Sequence, residues 1–249
     1  MTQKNYKFTL QFDGTDFLGW QVQAKGRTVQ GDIEIALGKL FPGEDITLIG
    51  AGRTDSGVHA LGMTANVKLL AKYDAEELRR AVNGNLEMDV RIDFVEEMPD
   101  EYHARFSAVA REYEYHFMKQ YSPIRRKYAA HLSHNVDFSL LQKCAEQLKG
   151  EFDFTSFCKA NAEVENKVCI IEFAEWKTMD NQLIFRIKAN RFLHHMVRFL
   201  VGTMVEVARG RYTVNEFSAL LFNTPAKAIV VRAPAHGLYL KKVYYKERL

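Results

Sequence analysis

The sequence predicts an α+β protein of two ferredoxin-like halves, with largely antiparallel sheets and a cleft between them. Three observations lead there. Segments of period-two hydrophobicity alternate with segments of helical period. The first half reads in the order β-α-β-β-α-β. The second half repeats that order with insertions, although no residue-level repeat is present. The expected halves are residues 1–104 and 105–249.

In the first half, residues 6–12 alternate and are rich in aromatic and β-branched side chains, as a strand requires. Residues 28–40 place Val29, Ile33, Ala36, Leu37 and Leu40 at helical spacing, with Thr28 as N-cap. A short strand over 46–51 runs into a glycine-rich loop, and 60–70 forms the next strand. The helix over 74–86 opens with a capping box, Asp74 and Glu77. Residues 90–96 return to strand.

In the second half, the strand over 107–118 sets Tyr113, Tyr115 and Phe117 on one face and Glu112, Glu114 and His116 on the other. A helix follows over 137–148. Segments 168–177 and 183–189 form a hairpin around Asp180-Asn181, and 193–208 is a long helix. A second capping box, Thr213 with Glu216, opens a helix ending at Leu221, and 237–245 is the last strand.

Composition excludes several classes. The hydrophobic fraction of 47% and charged fraction of 26% are those of a folded globular chain, not a disordered one. The charged start leads into no apolar stretch, so no secretory signal is expected and the cytoplasm is the expected location. The apolar region around Met196 is interrupted by Arg198, Gly202 and Glu206, which argues against a membrane span. Three scattered cysteines (144, 158 and 169) fit reduced thiols and neither a disulfide framework nor a zinc site. A net charge of +3 permits a polyanionic partner without indicating one.

Three constellations could carry chemistry. The first is the loop in which Gly50, Gly52 and Gly57 bracket Arg53-Thr-Asp55-Ser. On residue type alone, Asp55 fits a turn-former that caps its own backbone. A catalytic role requires a cation, and Arg53 lies two residues away; a neighbouring guanidinium favours an ionised carboxylate, the form a nucleophile needs. The second is the expected helix of 193–208 with the residues just before it. Arg191, His194, His195 and Arg198 fall at i, i+3, i+4 and i+7, on one face, which reads either as a basic site or as a solvated stripe. The two histidines are adjacent and splay apart, so no metal is expected. The third is Arg111-x-Tyr113-x-Tyr115; alternating strand tyrosines are most often core packing with the hydroxyl satisfied, a tyrosine at a cleft mouth would stack on a base, and periodicity does not separate the two. Residues 120–127, with Arg125-Arg126-Lys127, read as a basic surface loop.

Eight segments then occur in one order: Gly19-Trp-Gln, Thr28-Val-Gln-Gly, Gly52-Arg-Thr-Asp-Ser-Gly-Val-His-Ala, His103-Ala-Arg-Phe-Ser-Ala, Arg111-x-Tyr-x-Tyr, Asp153-Phe-Thr-Ser-Phe, Phe192-Leu-His-His-Met-Val-Arg, and Ala233-Pro-Ala-x-Gly-Leu-Tyr-Leu. Together they resemble the tRNA pseudouridine synthase A family and span nearly the whole chain. The resemblance implies isomerisation of uridine to pseudouridine at positions 38–40 of the tRNA anticodon arm, without cofactor. It implies Asp55 as nucleophile, Arg198 as its basic partner, and Tyr113 packed against the target uracil. Arg53 would help displace the base and Leu238 would help line the pocket. A homodimer sharing one tRNA is also implied. Met63 and Glu87 depart from residues common in the family (Gln and Pro) and bear only on local loop shape.

Two other classes use similar residues. A non-catalytic RNA-binding protein would have no need of Asp55. A hydrolytic nucleosidase would usually carry a second carboxylate as acid, and none accompanies this loop.

Overall fold

The computed structural model describes residues 2–159, 165–223 and 228–246. Two compact units are present, Met1–Val109 with Tyr239–Leu249, and Ala110–Leu238. Both mix helices with mostly antiparallel strands.

The first unit runs β1 (Gln3–Phe12), α1 (Val29–Leu40), β2 (Ile49–Gly50), β3 (His59–Leu70), α2 (Ala75–Asn83) and β4 (Val90–Met98). β1 pairs antiparallel with both β3 and β4, and β2 pairs antiparallel with β3. Phe8, Leu10, Val67 and Leu69 from the strands are buried with Ile33, Leu37, Leu78 and Val82 from the helices. The Thr28 hydroxyl accepts the Gly31 N–H at 3.3 Å, which fixes where α1 begins. Both halves of the Asp74–Glu77 capping box form at the start of α2. The expected strand over 46–51 shortens to Ile49–Gly50. Gln30 and Glu34 of α1 explain this in part, since their side chains bond the Leu48 carbonyl and N–H, removing those groups from a ladder.

The second unit contains β5 (Ala108–Met118), β6 (Ala130–His131), α3 (Phe138–Glu146), β7 (Gly150–Asp153), β8 (Val168–Met179), β9 (Gln182–Ala189), α4 (Met196–Ala208) and α5 (Val214–Leu221). β9 pairs antiparallel with β5 and β8, and β8 with β7. Asp180 takes φ 46° in the two-residue turn between β8 and β9, as hairpin twist demands. Tyr115, Trp176, Phe185, Phe154, Phe157 and Phe217 are fully buried. The opposite face of β5 and β9 is polar, with Arg186 bonded to Glu112 at 2.6 Å and to Glu175 at 3.1 Å. Strands β6 and β7 are additions to the expected order. The last strand, β10 (Leu238–Tyr245), lies from Tyr239 onward in the first unit and pairs there in parallel with β3 through Tyr239–His59 and Leu240–Ala60.

One expectation is corrected. The helix expected over 193–208 begins at Met196, because His195 adopts φ 65°, outside helical space. Arg191, His194 and His195 therefore do not share a helix face with Arg198. Residues 191–193 have no regular structure and His194 and His195 form a turn. Helical spacing cannot reveal this, since Leu193, Met196 and Leu200 keep an apolar period across the break.

Candidate active site

In the first unit, the loop 52–58 is held on three sides. The Trp20 N–H donates to the Thr54 carbonyl at 3.1 Å, and the Ser56 hydroxyl donates to the Phe17 carbonyl at 3.1 Å. The Val58 N–H closes a turn on the Asp55 carbonyl at 3.1 Å. Gly19 lies against this loop with φ +103°, and a Cβ there would sit 2.5 Å from the Thr54 oxygen. Asp55 is partly exposed, Arg53 exposed and Thr54 buried. Fixed backbone thus presents a carboxylate and a guanidinium two residues apart.

That backbone is tied to the start of α1. The Val29 N–H donates to the Gly19 carbonyl at 3.3 Å and the Gln30 N–H to the Trp20 carbonyl at 3.0 Å. Two of the sequence segments, Gly19-Trp-Gln and Thr28-Val-Gln-Gly, are thereby the mount of a third. His59, at the loop's far end, is buried; its Nδ1 accepts the Gly14 N–H at 3.0 Å and its ring stacks on Tyr239 at 4.8 Å. Sequence reasoning gave His59 no role, though it stands inside the most specific segment.

The turn around His103-Ala-Arg-Phe-Ser is another structural piece that spacing alone does not disclose. Buried Asn66 accepts the Ala104 N–H at 2.8 Å and donates to Asn5 Oδ1 at 3.0 Å. Asn5 in turn donates to the Pro99 and Tyr102 carbonyls. Phe106 stands exposed at the tip of this pinned turn.

In the second unit, Arg198 lies in the first turn of α4 and is 8% exposed. Its Nε donates to the Ala233 carbonyl at 2.9 Å, while the Ala233 N–H donates back to the Arg198 carbonyl at 3.0 Å. One turn on, Gly202 allows the same segment to approach; a Cβ there would lie 2.2 Å from the Val231 oxygen. Tyr115 is buried, its hydroxyl donates to the Pro234 carbonyl at 2.8 Å, and desolvation pushes its pKa well up. Tyr115 is thus a core tyrosine. Tyr113, two residues earlier on the same face, is only half buried and meets the edge of Phe192 at 5.0 Å. Leu238 is buried at the start of β10. The segment 233–238 accordingly braces the arginine and Tyr115 and leads directly into Leu238.

Asp153-Phe-Thr-Ser-Phe is also a brace. Asp153 accepts both the N–H and the hydroxyl of Thr155, at 2.8 and 2.6 Å, which holds its carboxyl below the usual range. Phe154 and Phe157 enter the core.

A family model described as tRNA pseudouridine synthase matches residues 9–107 and 144–246. The tRNA pseudouridine synthase A of Brachyspira hyodysenteriae is 42% identical over 249 residues, covering 98% of this chain and 99% of that one. The namesakes from Bacillus pumilus and Latilactobacillus sakei are each 40% identical, over 96% and 99% of this chain and 98% and 100% of theirs. Among solved structures, a chain in the crystal structure of a Cbf5-Nop10-Gar1 complex covers 80% of this chain and 53% of its own length. The identity there is 10% and the TM-score 0.35. The class defined by the full-length matches is that of the pseudouridine synthases. Within it, the chain belongs to the tRNA pseudouridine synthase A family.

Proposed function

We propose that this protein isomerises uridine to pseudouridine at positions 38–40 of the tRNA anticodon arm, with Asp55 as nucleophile and no cofactor. The observation that carries the reading is the loop 52–60, which keeps the family's Arg-Thr-Asp-x-Gly-Val-His segment on a backbone pinned from Phe17, Gly19 and Trp20. Membership of the family supports the reaction and its substrate class.

The chemistry balances without an added reagent. The N1–C1′ bond breaks, the base turns, and a C5–C1′ bond forms. The C5 proton leaves to solvent and N1 gains one. An aspartate nucleophile serves this either by attack at C1′ or by addition at C6. Arg198 supplies the counter-charge of the nucleophile. Extracting the base from its stack costs a few kcal/mol, and Arg53 props the space it leaves. Tyr113 and Leu238 cover the flat faces of the base and keep the freed uracil in place. Two ferredoxin-like halves, a homodimer sharing one tRNA, and a cytoplasmic location complete the reading. No helix among the described residues is long and apolar enough to cross a membrane.

The test uses an unmodified tRNA transcript tritiated at uracil C5. Tritium released without free uracil supports the synthase; free uracil indicates hydrolysis; neither leaves an RNA-binding protein. Asp55→Ala abolishes release while filter retention of tRNA persists, and turnover by that variant removes the nucleophile assignment. Arg198→Ala also loses turnover, and a near-normal rate sinks its role as counter-charge.

A further inference from the structure

We propose that the excursion 119–136 of the second unit is an additional RNA-binding surface, gripping tRNA phosphates with Arg125, Arg126 and Lys127 and stacking a base on Tyr121. This rests on the tRNA reading above and adds a contact outside the residues assigned there.

The excursion is ordered. It leaves β5 at Met118 and returns as β6, which pairs in parallel with β5 at Phe117–Ala130 and Met118–His131. The Lys119 N–H donates to the Asn181 carbonyl at 2.9 Å and the Leu132 N–H to the Met118 carbonyl at 3.0 Å. At the tip, the Tyr128 and Ala129 N–H groups both donate to the Arg125 carbonyl, at 2.9 and 3.1 Å. The Arg125 N–H meets the Ser122 hydroxyl at 3.4 Å.

Its charge is one-sided. From residue 115 to 136 the chain contains no aspartate or glutamate, while Lys119, Arg125, Arg126 and Lys127 are all cationic. Several other cations of this unit are neutralised at short range. Arg186 meets Glu112 at 2.6 Å, Lys188 meets Glu172 at 2.8 Å, and Arg209 and Arg211 each meet Glu206 at 2.8 Å. Arg125 and Arg126 make no ion pair among the described residues and stand exposed. The base of the same excursion lines a cavity of about 420 Å³, through Lys119, His131, Ser133, His134 and Asn135 among others and with no carboxylate.

Exposed rings accompany the charge. Tyr121 is 59% exposed, with His131 edge-on at 5.5 Å, and Tyr128 and Ile124 are exposed as well. A single strand of nucleic acid offers a phosphate for each cation and a flat face for each ring. An acidic protein would use the charge but not the flat ring face, and the family's substrate is RNA. The occupant is therefore RNA.

Binding of tRNA to the full-length protein is read by filter retention across a salt series. Each phosphate contact contributes roughly 0.7–0.9 to the slope of log affinity against log salt. The triple variant R125Q/R126Q/K127Q should weaken binding about tenfold near physiological salt and flatten the slope by about 2. Tyr121→Ala should weaken it roughly fivefold with the slope unchanged. A charge-matched control removes three cations that already meet carboxylates, Lys4→Gln, Lys68→Gln and Arg79→Gln, whose partners are Glu97, Asp100 and Glu76. It should leave the slope near that of the unaltered protein. Equal slopes for the triple variant and the unaltered protein overturn the proposal. So does a triple variant that alters sedimentation of the protein without altering the slope, which assigns the surface to protein contacts. Failure of the unaltered protein to release tritium bears on the proposed reaction and leaves this binding measurement intact.

Discussion

Replacing Gly19 by alanine perturbs the backbone of the Asp55 loop and removes no proposed catalytic side chain. The new Cβ would lie 2.5 Å from the Thr54 oxygen, 3.2 Å from the Asp55 carbonyl carbon and 3.3 Å from the Ser56 nitrogen. Restoring ordinary van der Waals separation at the first of these needs a shift of roughly 0.7–1 Å. All three contacts are backbone, so no flexible side chain can absorb the shift. Misplacing a reacting group by about 1 Å costs on the order of a hundredfold in rate. At φ +103° the alanine also introduces strain of about 1–3 kcal/mol. Gly43→Ala separates the two effects, because Gly43 has φ +87° but no atom within 4 Å of the added Cβ. Both variants should melt earlier. Only Gly19→Ala should slow single-turnover tritium release, by 30- to 100-fold as an order-of-magnitude expectation, with tRNA retention nearly unchanged. A Gly19→Ala rate within about threefold of Gly43→Ala would refute the claim that this contact positions Asp55.

Two further expectations concern stability. Asn66→Ala leaves the buried Ala104 N–H and Asn5 Oδ1 each without the bond it makes to Asn66. At about 1–3 kcal/mol per orphaned group the loss is ~2–6 kcal/mol, read as a lower denaturant midpoint; a change below ~0.5 kcal/mol contradicts the network. Burial pushes the Cys144 thiol up to about 12 and the Cys169 thiol up to about 11. A thiol raised above its unfolded value contributes stability that is complete below about pH 8.5 and is lost as pH rises towards the folded values. The denaturant midpoint should therefore fall through the alkaline range, and less steeply in Cys144→Ala; an equal fall in both excludes the thiol as a cause.

Much of the first unit was legible because its signals are local. Thr28 and Asp74 mark helix starts through single hydrogen bonds that residue type announces. The φ 65° of His195 was not legible, since the apolar period of the following helix extends through it. Nor were β6 and β7, two and four residues long, below the length at which alternation can be read. Within the candidate site, the type and place of Asp55, Arg53, Tyr113, Arg198 and Leu238 were visible as segments. Their bracing was not. Nothing in the spacing of Ala233-Pro-Ala shows that one carbonyl accepts from Arg198 and the next from Tyr115.

That bracing changes how the ordered segments should be understood. Gly19-Trp-Gln and Thr28-Val-Gln-Gly bond each other and the Asp55 loop through main-chain groups, so their side chains are constrained by geometry rather than by substrate. His59 accepts a backbone N–H, Asp153 caps a turn, and Gly202 yields room for residues 231–233. The segments that identify the family are therefore largely those that fix backbone, and few of their side chains remain to act on the base. Such a division suits an isomerisation. In the mechanism we propose, no group is imported and no redox step is driven, so the protein would contribute a nucleophile, a counter-charge and walls whose efficiency depends on placement. Substitutions in the braces should consequently act on rate through position, a signature distinct from loss of a reacting group. Restoring the lost space, as by trimming the residue that a new side chain strikes, is impossible where the struck atom is backbone. Gly19 and Gly202 are both of that kind.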